Sequence, residues 1–310
     1  MTEKLITEDE FDTLEEHAGE LEVPWEGRPA VVRQESLTPD GRISAVKWGD
    51  APAVSVLLHG RAPTQSARSW DGVALAWGAP LVAVDFPGHG FSASRSDRRY
   101  TPRLISPALA EAIDDLVPTP TVLVGASFGG LTSIALAARS PELVRALVLV
   151  DVLPWVAHAV APADPAPEAP SSADPAPAPP IETFASREEI LEGLESNSPR
   201  SRSDLERNVA ANTRQLDDGR WAWRFDPGVK FSVADIDLPG LWDDLVATSV
   251  PVLLVRGGRS PVVSDEAVAA LQEKRPDITV ATVADSGHEI HDERPRQLAT
   301  IIEEFQASLS

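Results

Sequence analysis

Five short, mostly apolar runs, Ala53–Leu58, Leu81–Val84, Thr121–Val124, Leu143–Val150 and Val250–Val255, leave this chain few ways to fold. Runs of this length without regular polar alternation suit strands covered on both faces. Segments of helical pattern lie between them, around Trp70–Trp77, Leu104–Leu116 and Leu131–Ala138. Alternating strands and helices predict an α/β fold with a mostly parallel central sheet and helices on both faces. Upstream, Val31–Leu37 and Ile43–Trp48 flank the turn sequence Thr38-Pro39-Asp40-Gly41, which predicts a hairpin. Downstream, Asp265–Glu273, Ile278–Val283 and Arg296–Ser308 read as helix, strand and helix.

Two segments break this rhythm. Residues 1–22 carry nine acidic residues against one lysine, and Thr7 with Glu10 reads as a capping box opening a helix with Phe11 and Leu14 on one face. Positions 161–180 hold eight prolines and seven alanines, a composition that forms neither helix nor strand. Helical patterns follow at Ser186–Glu195 and Arg202–Thr213, then a hairpin at Asp218-Gly219 leading into Arg220-Trp221-Ala222-Trp223-Arg224-Phe225. The expected organisation is an acidic N-terminal helical extension (1–28), a core formed by 29–151 and 248–310, and an inserted lid or cap (152–247) with a flexible stretch at 161–180.

Composition removes several functions. With no cysteine, the 310-residue chain has no disulfide, thiol nucleophile or thiolate metal site, and its length allows a core without such staples. A formal charge of −21 repels phosphate backbones, so nucleic acid is not an expected partner. No apolar run approaches membrane-spanning length, and the first ten residues lack the basic-then-apolar pattern of a signal peptide. The expectation is a cytoplasmic protein without a membrane partner, of undetermined oligomeric state. Arginine far outnumbers lysine, a usage that points to a GC-rich bacterial genome.

The chemistry centres on Gly125-Ala126-Ser127-Phe128-Gly129-Gly130, set between an apolar strand and an apolar helix. Small residues there allow a sharp turn that lifts a serine hydroxyl out of the sheet, with helix-start amides aimed at developing negative charge. A neutral serine is a weak nucleophile and needs a base. His288, in Asp285-Ser286-Gly287-His288-Glu289-Ile290-His291, follows the last strand and is the candidate. His291 reads as a packing or supporting residue. A metal pair of His288 and His291 lacks cysteine or an acidic third ligand, so no metal is expected.

These residues resemble the α/β-hydrolase family. His59-Gly60 looks like the family's oxyanion loop, and Asp85-Phe86-Pro87-Gly88-His89-Gly90-Phe91-Ser92 like the loop after its next strand. The resemblance covers about residues 29–151 and 245–308 in the family's order, and the Trp221–Asp226 hairpin is similar to cap hairpins in some subfamilies. The family's usual acid follows the strand at Val250–Val255 in a loop reading Gly-x-x-Asp. Here that loop is Arg256-Gly257-Gly258-Arg259-Ser260-Pro261, with Ser260 in the acid's place. The resemblance to members whose acid follows the preceding strand implies Asp151; Asp265 is the alternative, although it is also well placed as an N-cap. Asp85 is assigned to organising its own glycine-rich turn.

The resemblance implies an oxyanion hole from the backbone amides of Phe128 and Arg61. Arg61 is unusual at its position, and its side chain either braces the structure or meets an acidic substrate group. Trp155, Trp221, Trp223 and Trp242 are candidate pocket residues, with Trp221 and Trp223 equally readable as the cap's own core, and Trp155 the better candidate. His59 is a further candidate pocket residue, read as a buried hydrogen-bonding residue of its loop and not as a catalyst. The expected function is hydrolysis of a small carboxylic ester through an acyl-enzyme on Ser127, without cofactor. Lactone hydrolysis is the next reading. Carbon–carbon bond hydrolase, thioesterase or perhydrolase chemistry uses the same triad, and a non-catalytic ligand sensor is the rival of another class.

Overall fold

The computed structural model describes residues 9–155, 179–196, 198, 200–229 and 234–309. Thr7 of the expected capping box and most of the expected flexible stretch at 161–180 lie outside these residues. Phe11 and Leu14 are both buried, the latter opening helix α1 (Leu14–Glu20).

The predicted hairpin forms as β1 (Val31–Thr38) and β2 (Gly41–Trp48), antiparallel in the register Thr38 to Gly41. Gly41 takes φ +120°, open to glycine but strained for other residues. The apolar runs become β3 (Ser55–Leu58), β4 (Leu81–Val84), β5 (Thr121–Ala126), β6 (Val144–Val150) and β9 (Val252–Gly257); β10 (Thr279–Val283) closes the series. The eight-stranded sheet has the order β1-β2-β4-β3-β5-β6-β9-β10. β2 meets both neighbours antiparallel, whereas pairs from β4 through β10 are parallel.

The continuous apolar strands are explained by what covers them. Val56, Leu58, Val82, Val84 and Leu123 point into one cluster with Ile105, Leu109 and Ile113 of α3 (Pro102–Leu116) and Ile134 of α4 (Phe128–Arg139). Leu57, Leu81, Ala83, Val122 and Val124 point the other way, toward Trp70, Val73 of α2 (Asp71–Trp77), and Leu298 and Ile302 of α10 (Pro295–Ser308). Adjacent residues thus bury opposite faces of one sheet.

The inserted block contributes α5 (Arg187–Glu195) and α6 (Arg202–Asn212), capped by the Ser186 and Ser201 hydroxyls, and the hairpin β7 (Thr213–Gln215) to β8 (Trp221–Trp223). Ile190, Leu191, Leu205 and Val209 form a small separate core against which Trp221 and Trp223 pack. Helix α7 (Leu238–Ala247) also falls within 152–247, yet its buried Leu241 and Leu245 join the main cluster on the sheet.

Candidate active site

Strands β5, β6, β9 and β10 are neighbours and run parallel, so the loops leaving their carboxyl ends converge. Pairing fixes how closely: Ala126 is opposite Val150, and Val150 is opposite Val255. Ser127 and Asp151 therefore follow directly paired residues, and the segment 256–260 and His288 leave the next two strands.

At the first of these exits the chain turns sharply, with Ser127 at φ 50° and ψ −117°. A non-glycine residue there is strained and must be held by its surroundings. Its N–H donates to the Val150 carbonyl (3.1 Å), and its own carbonyl accepts from Gly130 (2.9 Å) and Leu131 (3.2 Å). The glycines are dictated by space. A Cβ on Gly125 would stand 2.4 Å from the Gly129 backbone, and one on Gly129 would stand 2.1 Å from the Leu58 carbonyl oxygen. Phe128 opens α4, where first-turn amides have no acceptor within the helix.

Asp151 is fully buried and also adopts a positive φ of 49°. Its Oδ1 accepts from the Gly257 N–H (2.9 Å), and its Oδ2 accepts from His288 Nδ1 (2.7 Å) and from the Ser260 hydroxyl (2.5 Å). A carboxylate only accepts, so His288 carries its proton on Nδ1 and leaves Nε2 unprotonated. The Asp151 hydrogen bond raises the His288 pKa above its ordinary value, and burial opposes this rise. Glu293 steadies the same loop by accepting from the Gly287 N–H (2.9 Å).

Asp265 is elsewhere. Its side chain is 91% exposed and ion-paired with Arg256. Ser264, not Asp265, is the N-cap of α8 (Asp265–Lys274), its hydroxyl accepting from the Ala267 N–H at 3.1 Å. Both residue types cap well, and the cap falls one position earlier than the sequence reading placed it.

The Arg61 guanidinium lies 4.7 Å from the Phe128 ring centroid, which brings the two residues named for the oxyanion hole together. Burial lowers the Arg61 pKa, and the negative charge of Asp235 works against that shift. His59 is fully buried; its Nε2 accepts from the Phe86 N–H (3.0 Å) and its Nδ1 donates to the Gly60 carbonyl (2.6 Å). With no exposed surface and both nitrogens used, His59 is a loop support and not a pocket wall. Asp85 likewise organises its turn, accepting from Ala67 (2.7 Å), Phe91 (3.0 Å) and Arg33 (2.9 Å).

The tryptophans separate into two pairs. Trp155 and Trp242 pack with centroids 5.0 Å apart and rings tilted by 57° against the main cluster, whereas Trp221 and Trp223 belong to the small core of the inserted block. His291 is buried against Trp70, with ring centroids 5.0 Å apart. The fold does set acidic groups beside it: ligand atoms of Glu289, His291 and Asp292 lie within 4.8 Å of one another. Asp292 is ion-paired with Arg200, and His288 points instead to Asp151.

Burial also depresses four other histidines, to about 4 for His17 and His291 and about 3 for His59 and His89. These rings stay neutral in the folded chain, whereas unfolded histidine protonates near 6.5. The unfolded chain thus binds more protons as pH falls below about 6.5, and stability is lost progressively toward pH 3. Thermal melts at stepped pH are expected to show a falling midpoint from about pH 6.5 downward.

The model of the alpha/beta hydrolase family matches residues 56–301, a span that includes Ser127, Asp151 and His288. The chain belongs to the alpha/beta hydrolase family. Among relatives, it is 39% identical to esterase Rv0045c of Mycobacterium tuberculosis over 298 residues, covering 95% of this chain and 94% of that protein. It is 30% identical to lipase LipV of the same organism over 265 residues, covering 81% and 92%. The crystal structure of esterase Rv0045c superposes with a TM-score of 0.79 at 37% identity, covering 98% of this chain and 100% of that one. In this alpha/beta hydrolase, sequence reasoning missed two supports of the site. The Ser260 hydroxyl donates to Asp151 Oδ2, and Glu293 accepts from the Gly287 N–H in the His288 loop. The vacant acid position was the signal for the first; nothing local marks the second.

Proposed function

We propose that this alpha/beta hydrolase is a serine esterase that cleaves small carboxylic esters through an acyl-enzyme on Ser127. The observation that carries the reading is the His288–Asp151 hydrogen bond of 2.7 Å at the end of β6, whose paired neighbour β5 ends in the strained strand-to-helix turn at Ser127. Similarity over almost the whole chain to an esterase supports the same reaction.

In this mechanism His288 Nε2 takes the Ser127 proton as Oγ attacks the ester carbonyl. Asp151 fixes the tautomer with Nε2 free and stabilises the imidazolium that forms. The backbone amides of Phe128 and Arg61 hold the oxyanion. His288 then protonates the leaving alcohol and activates water against the acyl-enzyme. The inserted block is the cap, and Trp155 with Trp242 supplies an apolar wall for the acyl group.

The test is a panel of p-nitrophenyl esters of increasing acyl length alongside lactones. Saturable turnover of at least one ester, with a preference in acyl length, is expected. Turnover of lactones but of no ester, or of neither, would contradict the proposal.

The base must be neutral, so kcat/KM is expected to fall as pH drops through the raised pKa of His288. Ser260 shares the negative charge of Asp151 Oδ2 with His288. Ser260→Ala leaves more of that charge to the imidazolium, so the acid limb is expected to move to higher pH. The plateau should lose about tenfold or less. An unmoved limb in the pH–rate profile would remove Ser260 from the positioning of the triad.

A further inference from the structure

Between β3 and the helical turn Ala67–Trp70 the chain forms neither helix nor strand, so its shape depends on the groups that hold it. This loop carries His59, Gly60 and Arg61. Three residues further on, the Thr64 carbonyl accepts from two side-chain amides of the inserted block, Asn208 Nδ2 at 2.8 Å and Asn212 Nδ2 at 3.3 Å. A carbonyl oxygen has two lone pairs and can take both.

The two asparagines stand at i and i+4 on α6, positions that share one face of a helix. Asparagine is a poor helix former, because its amide competes with the backbone for hydrogen bonds. Asn212 is held firmly. It is buried, its Nδ2 also donates to the Asn208 carbonyl (2.9 Å), and its own carbonyl accepts from the Arg224 N–H (2.6 Å).

The same loop is tied on its other side. Buried Gln65 donates from Nε2 to Glu289 Oε2 at 3.2 Å, and Glu289 directly follows His288. The Gln65 N–H donates to the Ala62 carbonyl at 3.0 Å, closing a tight turn. Its side chain lies against Gly60, where a Cβ would stand 3.6 Å from it.

We propose, resting on the serine-esterase reading in which the Phe128 and Arg61 amides receive the oxyanion, that Asn208 and Asn212 are positioning residues for the reaction. By clamping the Thr64 carbonyl they keep the Arg61 N–H in place. Placement matters because the donor acts on a charge that exists only as the tetrahedral intermediate forms. The Arg207–Glu20 pair (2.5 Å) also anchors α6, but to α1 and not to this loop.

The test compares Asn208→Leu/Asn212→Leu, which removes both donors, with Glu20→Gln, which loosens the block elsewhere. Leucine is close to asparagine in shape and favours helix, and Asn208→Ala serves if the double variant does not fold. Kinetics use p-nitrophenyl acetate, and hydrogen exchange of segment 59–66 is read by mass spectrometry on the same full-length proteins. Acylation and deacylation both pass through an oxyanion. The double variant is therefore expected to lose about 10- to 100-fold in kcat with KM within about twofold, and Asn208→Ala about threefold or more in kcat. Exchange in 59–66 should quicken in both, whereas Glu20→Gln should change neither kcat nor exchange. A raised KM with unchanged kcat would reduce the asparagines to docking contacts and overturn the proposal. Unchanged exchange, or an equal loss of kcat in Glu20→Gln, would overturn it as well. No turnover by the native protein would contradict the esterase reading itself, and exchange would still decide the clamp.

Discussion

Asp151→Asn is expected to lower kcat for a p-nitrophenyl ester by about 10⁴-fold while the protein stays folded. The carboxylate accepts three hydrogen bonds in the structure, from Gly257, Ser260 and His288. An asparagine can keep its carbonyl toward Gly257 and then must turn its NH₂ toward the histidine and the serine. A donor facing Nδ1 forces the proton of His288 onto Nε2, and the base nitrogen is lost. Asp265→Asn is the comparison. Its side chain is 91% exposed in a surface pair with Arg256, so it should cost less than about twofold. An exchange of the two effects would put the acid at Asp265 and remove the physical meaning given to Ser260.

Ser127→Ala is expected to cost about 10⁴–10⁶-fold in kcat, leaving the residual rate that an oxyanion hole and binding supply without a nucleophile. The loss should come without a large fall in thermal midpoint. The elbow is tied by the N–H and carbonyl of residue 127, to Val150, Gly130 and Leu131, and none of these bonds uses the hydroxyl. Alanine meets the same backbone strain at φ 50° that serine already tolerates. Equal activity in this variant would mean that another group attacks the ester.

Much of this site was legible because its parts lie at strand ends, and strand ends are marked by apolar runs that stop. Ser127 follows β5, Asp151 follows β6, and His288 comes after β10, each near a boundary where the residue pattern changes. Less legible were contacts set by strand order rather than by chain order. Ser260 and Asp151 stand 109 residues apart and meet because β6 and β9 are neighbours in the sheet. A serine hydroxyl carries no pattern that announces its acceptor, so the sequence revealed the missing acid without the hydrogen bond that replaced it. The Arg61 guanidinium over Phe128 has the same origin, since two loops that follow β3 and β5 are brought together by pairing. Helix α7 illustrates a different limit. Its leucines carry ordinary helical periodicity, which does not say whether the sheet or the small inserted core receives them.

Asp265 was misread for a local reason. Ser264 and Asp265 are both good capping residues, and one residue of uncertainty in the helix start moves the cap from one to the other. His59 was placed near the site by its loop, yet a ring with two satisfied nitrogens and no exposure has no capacity left for substrate.

The most direct test of the central claim is covalent labelling with a fluorophosphonate probe, read by intact mass and peptide mapping. The expected result is one adduct per chain, located on Ser127, absent in Ser127→Ala and formed much more slowly in Asp151→Asn. No adduct on the native protein, or an adduct on a different serine, would contradict the account.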